Sequence, residues 1–283
     1  MQILLTGGNG KLGSAVAAHL KSVGHEVLVL DIAAKRAEGY LPIDLTDGGQ
    51  VLDVVLGLDD HDFHADAIVH LAAIPSPGIA PDITTFRNNV LSSFHVLQAA
   101  RKAGVKRLVT ASSETVLGLP FDVAPPYLPV DEDVTSPNST YSLVKHLEEQ
   151  MEIEFCRWDP ELSITAMRFS NVMSPEDYAG FADWQDDPQL RRWNLWGYID
   201  ARDAADAIAK ALEGRGPGFE RYIIANADTV MSTPSAELAA EVFPEVRLTK
   251  TLEGTETLLS IDKARRDLGW EPSHAWRDQV AGA

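Results

Sequence analysis

Cysteine is nearly absent from this 283-residue chain, where Cys156 stands alone. One thiol forms no intrachain disulfide, and it excludes a zinc site built on several cysteines. Basic residues are scarce as well: 24 Lys and Arg face 42 Asp and Glu, a net charge of −18. That excess of acid repels phosphate backbones and anionic lipid surfaces, so neither nucleic acid nor a membrane is an expected partner. A small anionic ligand is still allowed, because a local site can oppose the global field. Long apolar runs are missing too, and nothing approaches the ~20 residues of a membrane span. The first residues, Met1-Gln2-Ile3-Leu4-Leu5-Thr6, lack the basic start and cleavage pattern of a signal peptide. A soluble cytoplasmic protein is the expectation.

What is present is an ordinary globular composition, 45% hydrophobic, in a chain long enough to bury a sizeable core. Gln2–Thr6, Glu26–Asp31, Ala67–Leu71, Arg107–Ala111 and Leu162–Phe169 read as short buried strands. Helical spacing fills the gaps at Lys11–Val23, Val51–Leu58, Asp82–Ala103 and Asn138–Trp158. Along Asp82–Ala103 the apolar side is expected to carry Phe86, Val90, Phe94 and Leu97. Strands alternating with helices imply βαβ units, hence an α/β fold with a doubly wound parallel sheet. The pattern loosens over residues 174–197, then returns with a helix at Asp200–Glu213 and a strand at Arg221–Ala225. No repeat and no Pro/Gly/Ser linker marks a second independent domain. The expected division is therefore a sheet domain of residues 1–170 and 198–224, with a small lobe from 171–197 and 225–283.

Gly8-Asn9-Gly10-Lys11-Leu12-Gly13 fits G-x-G-x-x-G, and Gly7 extends it. Glycine allows the tight turn and the close approach of backbone to a pyrophosphate, while the following helix offers free amides and a positive dipole end. The loop follows a strand, opens a helix, and is answered by Asp31 at the end of the second strand. Asp31 suits a ribose diol and repels a 2′-phosphate, which favours NAD over NADP, although Lys35 and Arg36 lie just beyond and offset part of that repulsion. Asp44 either reaches the adenine edge, beside Leu45, or caps the next helix.

Tyr141 and Lys145 lie four apart on an expected helix and share a face. A nearby ammonium stabilises phenolate and lowers a tyrosine pKa toward the range useful for proton transfer.

With these motifs in order, the chain resembles the extended short-chain dehydrogenase/reductases, the NAD-dependent epimerase/dehydratase group. TGGNGKLG, IVHLAA, NNVLSSFHVLQAA, TASSETVLG, YSLVK, RFSNV, YIDARDAADAI and SIDKARRDLGWEP each look like a family segment. The resemblance implies a Rossmann sheet with a small C-terminal substrate-binding lobe. It implies Tyr141 as general acid/base and Lys145 as its partner and a ribose contact. Ser113, rather than Ser112, is then the hydroxyl that bonds the reacting oxygen, and Asn89 supports the helix backbone. Leu71, Ala72 and Ala73 join Gly7, Gly10, Lys11, Leu12 and Gly13 as expected cofactor contacts, and His70 is expected to pack. The helices at 82–103 and 138–158 are expected to pair across a homodimer.

Two departures stand out. Glu114 follows Ser113, but Thr115 stands where the family's sugar dehydratases carry a second acid. Glu114 is thus a substrate contact or a solvated loop residue. Leu117 stands where tyrosine is usual. Only 26 residues separate Asn171 from Tyr198, short for a nucleotide-sugar pocket. They carry Arg191 and Arg192, which can clamp an anion, and Trp184, Trp193 and Trp196, which can stack on a sugar or fill a lid. A nucleotide-sugar epimerase working by transient hydride transfer is the leading expectation. A dehydrogenase or reductase of a free sugar, uronic acid or small carbonyl compound is the alternative, and a non-catalytic dinucleotide sensor the third. No metal is expected.

Overall fold

The computed structural model describes residues 1–33, 39–58, 63–214 and 216–280. β1 (Gln2–Thr6), β2 (Glu26–Asp31), β3 (Tyr40–Pro42), β4 (Ala67–His70), β5 (Arg107–Ser113), β6 (Ser163–Phe169) and β7 (Gly218–Ile224) form one sheet. Its order is 3-2-1-4-5-6-7, and every neighbouring pair is parallel. Strands β1 and β6 are almost wholly buried, as a sheet covered on both faces demands. The winding direction reverses between β1 and β4, and the crevice at their carboxyl ends is where such sheets bind ligands.

Helices α1 (Lys11–Ser22) and α5 (Ala201–Gly214) pack together, while α2 (Gly48–Val55), α3 (Asp82–Ala103) and α4 (Thr140–Trp158) form the other layer. Local chemistry sets their ends. Ser139 caps α4 reciprocally: its hydroxyl accepts from Ser142 N at 3.2 Å, and the Ser142 hydroxyl accepts from Ser139 N at 2.9 Å. α3 has Asp82 in its first turn, Arg101 and Lys102 in its last, and Gly104 closing it at φ 77°.

Three expectations are corrected. α2 begins three residues before Val51, because Asp47 is its cap and accepts from the amides of Gly49 and Gln50. Asp44 therefore caps no helix; it accepts from the amide and hydroxyl of Thr46. On α3 the buried positions are Thr85, Asn89, Ser92, Ser93, Val96, Leu97, Ala99 and Ala100, while Phe86 and Phe94 face outward. Small residues seat the helix close to its neighbours and leave the rings to solvent.

Residues 175–194 form three short 3₁₀ segments: Pro175–Trp184, Pro188–Leu190 and Arg192–Asn194. Their aromatic residues Tyr178 and Phe181 join Tyr198 and Trp276 from later in the chain in one apolar cluster that is continuous with the sheet.

α4 buries charge. Arg168, fully buried on β6, donates through Nε and Nη2 to the two oxygens of Glu149, both at 2.9 Å. Ser112 also donates to Glu149, at 2.7 Å. Burial pushes the Glu149 carboxyl up, but Arg168 more than offsets this and holds it below the usual range. Removing one partner strands a buried charge. Glu149→Ala is expected to cost about 3–5 kcal/mol in urea unfolding. Glu154→Ala, which breaks the exposed pair with Arg157, is expected to cost under ~1 kcal/mol.

Candidate active site

The crevice beyond β1, β4 and β5 opens into a cavity of about 780 Å³. The glycine loop forms one wall. Gly7 sits at φ 73°, and a Cβ there would meet Ala72 N at 2.7 Å. A Cβ on Gly13 would meet Gly7 O at 2.1 Å and Gly8 Cα at 2.7 Å. The loop thus folds tightly on itself and on the turn after β4 only because these side chains are absent. Gly10 precedes α1 without any side-chain cap, so the first amides of α1 are left for a ligand. Such a cradle fits a pyrophosphate.

Asp31 lies beside the loop at the end of β2, accepting from Asn9 N at 3.1 Å and Ala33 N at 3.0 Å. Lys35 and Arg36 lie outside the described residues. Asp44, Leu45, Leu71, Ala72 and Ala73 line the same cavity, together with Ile32, Ile43 and Pro75. Lys11 lines it as well and makes an ion pair of 2.6 Å with Asp177, joining the glycine loop to the first 3₁₀ segment.

Ser113, Glu114, Tyr141, Lys145 and Asn171 line the other end, with Ser170 and Trp193. Tyr141 and Lys145 come from the first turns of α4, and Ser113 ends β5. The alternation of the strand separates the two serines: the Ser112 hydroxyl is committed to Glu149, while Ser113 accepts from the amide and hydroxyl of Thr115. The Lys145 ammonium lies 6.0 Å from the Tyr141 ring centroid. It donates to Ala111 O at 2.7 Å and to Glu148 at 2.8 Å.

The Tyr141 phenol is held above its ordinary range, because burial outweighs the lowering by Lys145. This corrects the expectation of a tyrosine brought below its usual pKa. Burial also works against the Lys145 ammonium, but Glu148 more than compensates and keeps its pKa raised.

Some expected contacts do not meet here. Asn89 is fully buried behind the cavity wall, where Oδ1 accepts from Ile74 N and Nδ2 donates to Ile74 O; it braces the loop after β4. Arg191 is buried between the rings of Trp184 and Trp193, 4.5 and 4.8 Å from their centroids, and donates to Gly197 O at 3.2 Å. Burial pulls its pKa down to about 10. Arg192 points to Gln189 and Asp122, away from the cavity. Neither arginine is among the residues that line it. Sequence reasoning missed Ser170 and Asn194, which hold Glu114. Ser170 follows β6 directly, a position at the carboxyl edge that could have marked it.

Glu114 is buried, not solvated. Ser170 donates to it at 2.6 Å and Asn194 at 3.3 Å. Burial pushes its pKa up to about 7.

A doubly wound parallel sheet with this glycine cradle and a tyrosine–lysine pair in one cavity defines a dinucleotide-binding α/β protein of the Rossmann class. The chain belongs to the NAD dependent epimerase/dehydratase family, whose model matches residues 3–225. UDP-glucose 4-epimerase from Yersinia enterocolitica is 32% identical over 214 residues, 70% of this chain and 61% of that protein. The chain thus spans about three fifths of that relative's length. UDP-glucose 4-epimerase from Corynebacterium glutamicum is 27% identical over 309 aligned positions, 97% of this chain and 92% of that one. A crystal structure of a UDP-galactose 4-epimerase superposes with a TM-score of 0.69 at 28% identity, covering 99% of this chain and 96% of that chain.

Glu114 gives a stability signature. Its folded pKa of about 7 stands above the ordinary 4.5, so the folded protein keeps a proton that the unfolded chain loses. The contribution of Glu114 to stability therefore falls as pH rises from 4.5 to about 7, by roughly 3 kcal/mol at 1.36 kcal/mol per unit. Glu114→Gln, which cannot ionise, is expected to flatten most of that fall in urea titrations taken across this window.

Proposed function

We propose that the chain is an NAD-dependent sugar-processing oxidoreductase, an epimerase of a nucleotide sugar acting by transient hydride transfer. One observation carries this reading: Ser113, Tyr141 and Lys145 converge on the cavity whose far wall is the glycine loop. The relatives at 32% and 27% identity carry the name UDP-glucose 4-epimerase, which supports it.

In this reading the loop amides and α1 receive the pyrophosphate, Asp31 the adenosine ribose, and Asp44 and Leu45 the adenine side. When bound, NAD supplies the hydride acceptor. Tyr141 Oη takes the proton from a substrate hydroxyl and later returns it to the same oxygen; the change of face is at the carbon that gives up and regains the hydride. Ser113 Oγ bonds the same oxygen. Lys145 holds the nicotinamide ribose and the charge on Tyr141 through its remaining N–H. Asn171, Ser170 and Trp193 face the sugar. NADP would have to place its 2′-phosphate beside Asp31, which disfavours it.

A second reading, a dehydrogenase of a free sugar or uronic acid, is favoured by the short segment between Asn171 and Tyr198. Residues 171–197 and 225–283 serve as the substrate lobe in either case, and residues 1–170 and 198–224 as the cofactor domain. We place the protein in the cytoplasm; among the described residues no helix is long and apolar enough to cross a membrane.

A homodimer is part of the proposal. Ile83, Phe86 and Phe94 on α3 and Leu143 and Trp158 on α4 are large apolar side chains left exposed on adjacent helices, which marks an interaction surface. Light scattering at micromolar concentration should return twice the chain mass, and Phe94→Glu should return a monomer.

The catalytic test is Tyr141→Phe. It should lower turnover by about 10²–10⁴-fold and leave NAD affinity unchanged by calorimetry. Retained cofactor and interconversion of UDP-glucose and UDP-galactose without net NADH mark the epimerase. Net NADH from a uronate, with no binding of any UDP-sugar, would select the second reading.

A further inference from the structure

Glu148 lies outside the cavity, yet it is the carboxylate in contact with Lys145. The ammonium is 2.8 Å from Glu148 Oε2, and both side chains are nearly buried. Its position differs from that of Glu149, one residue on. Glu149 is matched by Arg168 on β6 and by Arg221 on β7, the latter at 3.5 Å, and so belongs to the framework. The cation on Glu148 is Lys145 itself.

The surrounding hydrogen bonds converge on Glu148. Thr6 Oγ1 accepts from the amides of Leu71 and Ala72, both at 3.2 Å, so its hydrogen points to His70 Nδ1 at 2.8 Å. Burial drives the His70 pKa down to about 3, so the ring is neutral. Its Nε2 then carries the proton and donates to Ser93 Oγ at 3.1 Å. Ser93 in turn donates to Glu148 Oε1 at 2.8 Å. Every donor in this line points toward Glu148, and Lys145 closes it from the other side. Both oxygens accept, as a carboxylate requires.

Five elements bring charged or titratable groups to this region. On α4 they are Tyr141, Lys145, Glu149 and Glu152, the last pushed well above the usual carboxylate range chiefly by burial. On β4 stands neutral His70, and on β6 and β7 stand Arg168 and Arg221, which answer Glu149. Glu114, after β5, also faces Tyr141 and raises its pKa.

We propose that Glu148 is a positioning residue for Lys145, anchoring the ammonium beside Tyr141 and cancelling part of its field at the phenol. Two of the three N–H groups of Lys145 are spent on Ala111 O and Glu148, which leaves one for the cavity. The phenol then keeps its proton to a higher pH than an unanswered lysine would allow. Glu148 thus sets the pH at which the site changes from proton donor to proton acceptor. The inference rests on Tyr141 as the proton-transfer group.

The test is an ultraviolet titration of tyrosinate in the absence of substrate. Subtracting the same titration of Tyr141→Phe isolates Tyr141 from the other tyrosines. Glu148→Gln keeps the shape and removes the charge, so the Tyr141 transition should move down by about one pH unit. Glu148→Asp, which restores the charge, should bring it back toward wild type. An unchanged or raised transition in Glu148→Gln overturns the proposal. Should that variant fail to fold, as judged by circular dichroism, the wild-type protein decides. NMR of the Lys145 ammonium should show proton loss above the ordinary lysine range, and loss below that range overturns the proposal. Because no substrate is used, the outcome is separate from the functional reading, which would fall instead if Tyr141→Phe kept full turnover.

Discussion

Carboxylates buried on one helix have to be answered by cations or by protons, and that demand organises this molecule around α4. Arg168 answers Glu149 from β6, the strand next to the sheet's edge. Its Nη1 also donates to Glu132 O at 3.1 Å and Val134 O at 3.0 Å. Glu132 in turn accepts from Ile223 N on β7 at 2.8 Å. One guanidinium therefore ties the helix, two strands and the segment leading into α4 into a single unit. The first turns of α4, which carry Tyr141 and Lys145, are held at the carboxyl edge of β5 by this unit. Glu152 leans on the other solution, since burial pushes its carboxyl well above the usual range. A chain with so many acids uses both.

The sheet was legible because its strands are short apolar runs between turn signals, and the residues of β1 and β2 coincide with the expected segments. β3 was not, since Tyr40–Pro42 is three residues long and ends in proline at the edge of the sheet. The orientation of α3 was misread for an instructive reason. Periodicity points to the stripe with the largest side chains, whereas close packing here selects small ones, with Ser92, Ser93 and Ala99 inward. Phe86 and Phe94 then remain outside, where a second chain can cover them. The glycine loop, Asp31, Ser113, Tyr141 and Lys145 were legible because each has a fixed spacing set by strand and helix geometry. Arg191 was not, because burial between two tryptophans depends on how an irregular segment folds. The same holds for Asn194 beneath Glu114. No local period records such contacts.

The low basic content also acquires a physical meaning. A net charge of −18 does not keep an anionic ligand away when the cradle is made of backbone. Amides at the start of α1 carry partial charge that costs no lysine or arginine, and they act over a few ångströms in a shielded cleft. The cations near the site are largely spoken for: buried Arg168 by Glu149, buried Lys145 by Glu148, and exposed Lys11 by Asp177. Attraction of the cofactor therefore rests on geometry more than on net charge, which explains why the loop tolerates no side chain at Gly13.

The substrate end follows a different logic. Arg191 looked like an anion clamp in the sequence, but its guanidinium is stacked between two rings and bonded to Gly197 O. Turning it toward a substrate would break both stacks, each worth roughly 0.5–2 kcal/mol, and expose the buried cluster. The cavity instead presents Glu114, Ser170, Asn171 and Trp193. A carboxyl held near its titration point accepts from a hydroxyl when ionised and donates when neutral, and it repels a phosphate or carboxylate placed against it. A flat indole offers its face to the C–H side of a sugar ring. On the proposed reading the sugar itself sits at this end, and any nucleotide must extend past it toward the open mouth of the cleft. The short segment from Asn171 to Tyr198 then shapes a pocket for hydroxyls rather than a cage for a diphosphate. That is why the same site accommodates both the epimerase and the free-sugar reading, which differ in what lies beyond Trp193 and not in the chemistry at Tyr141.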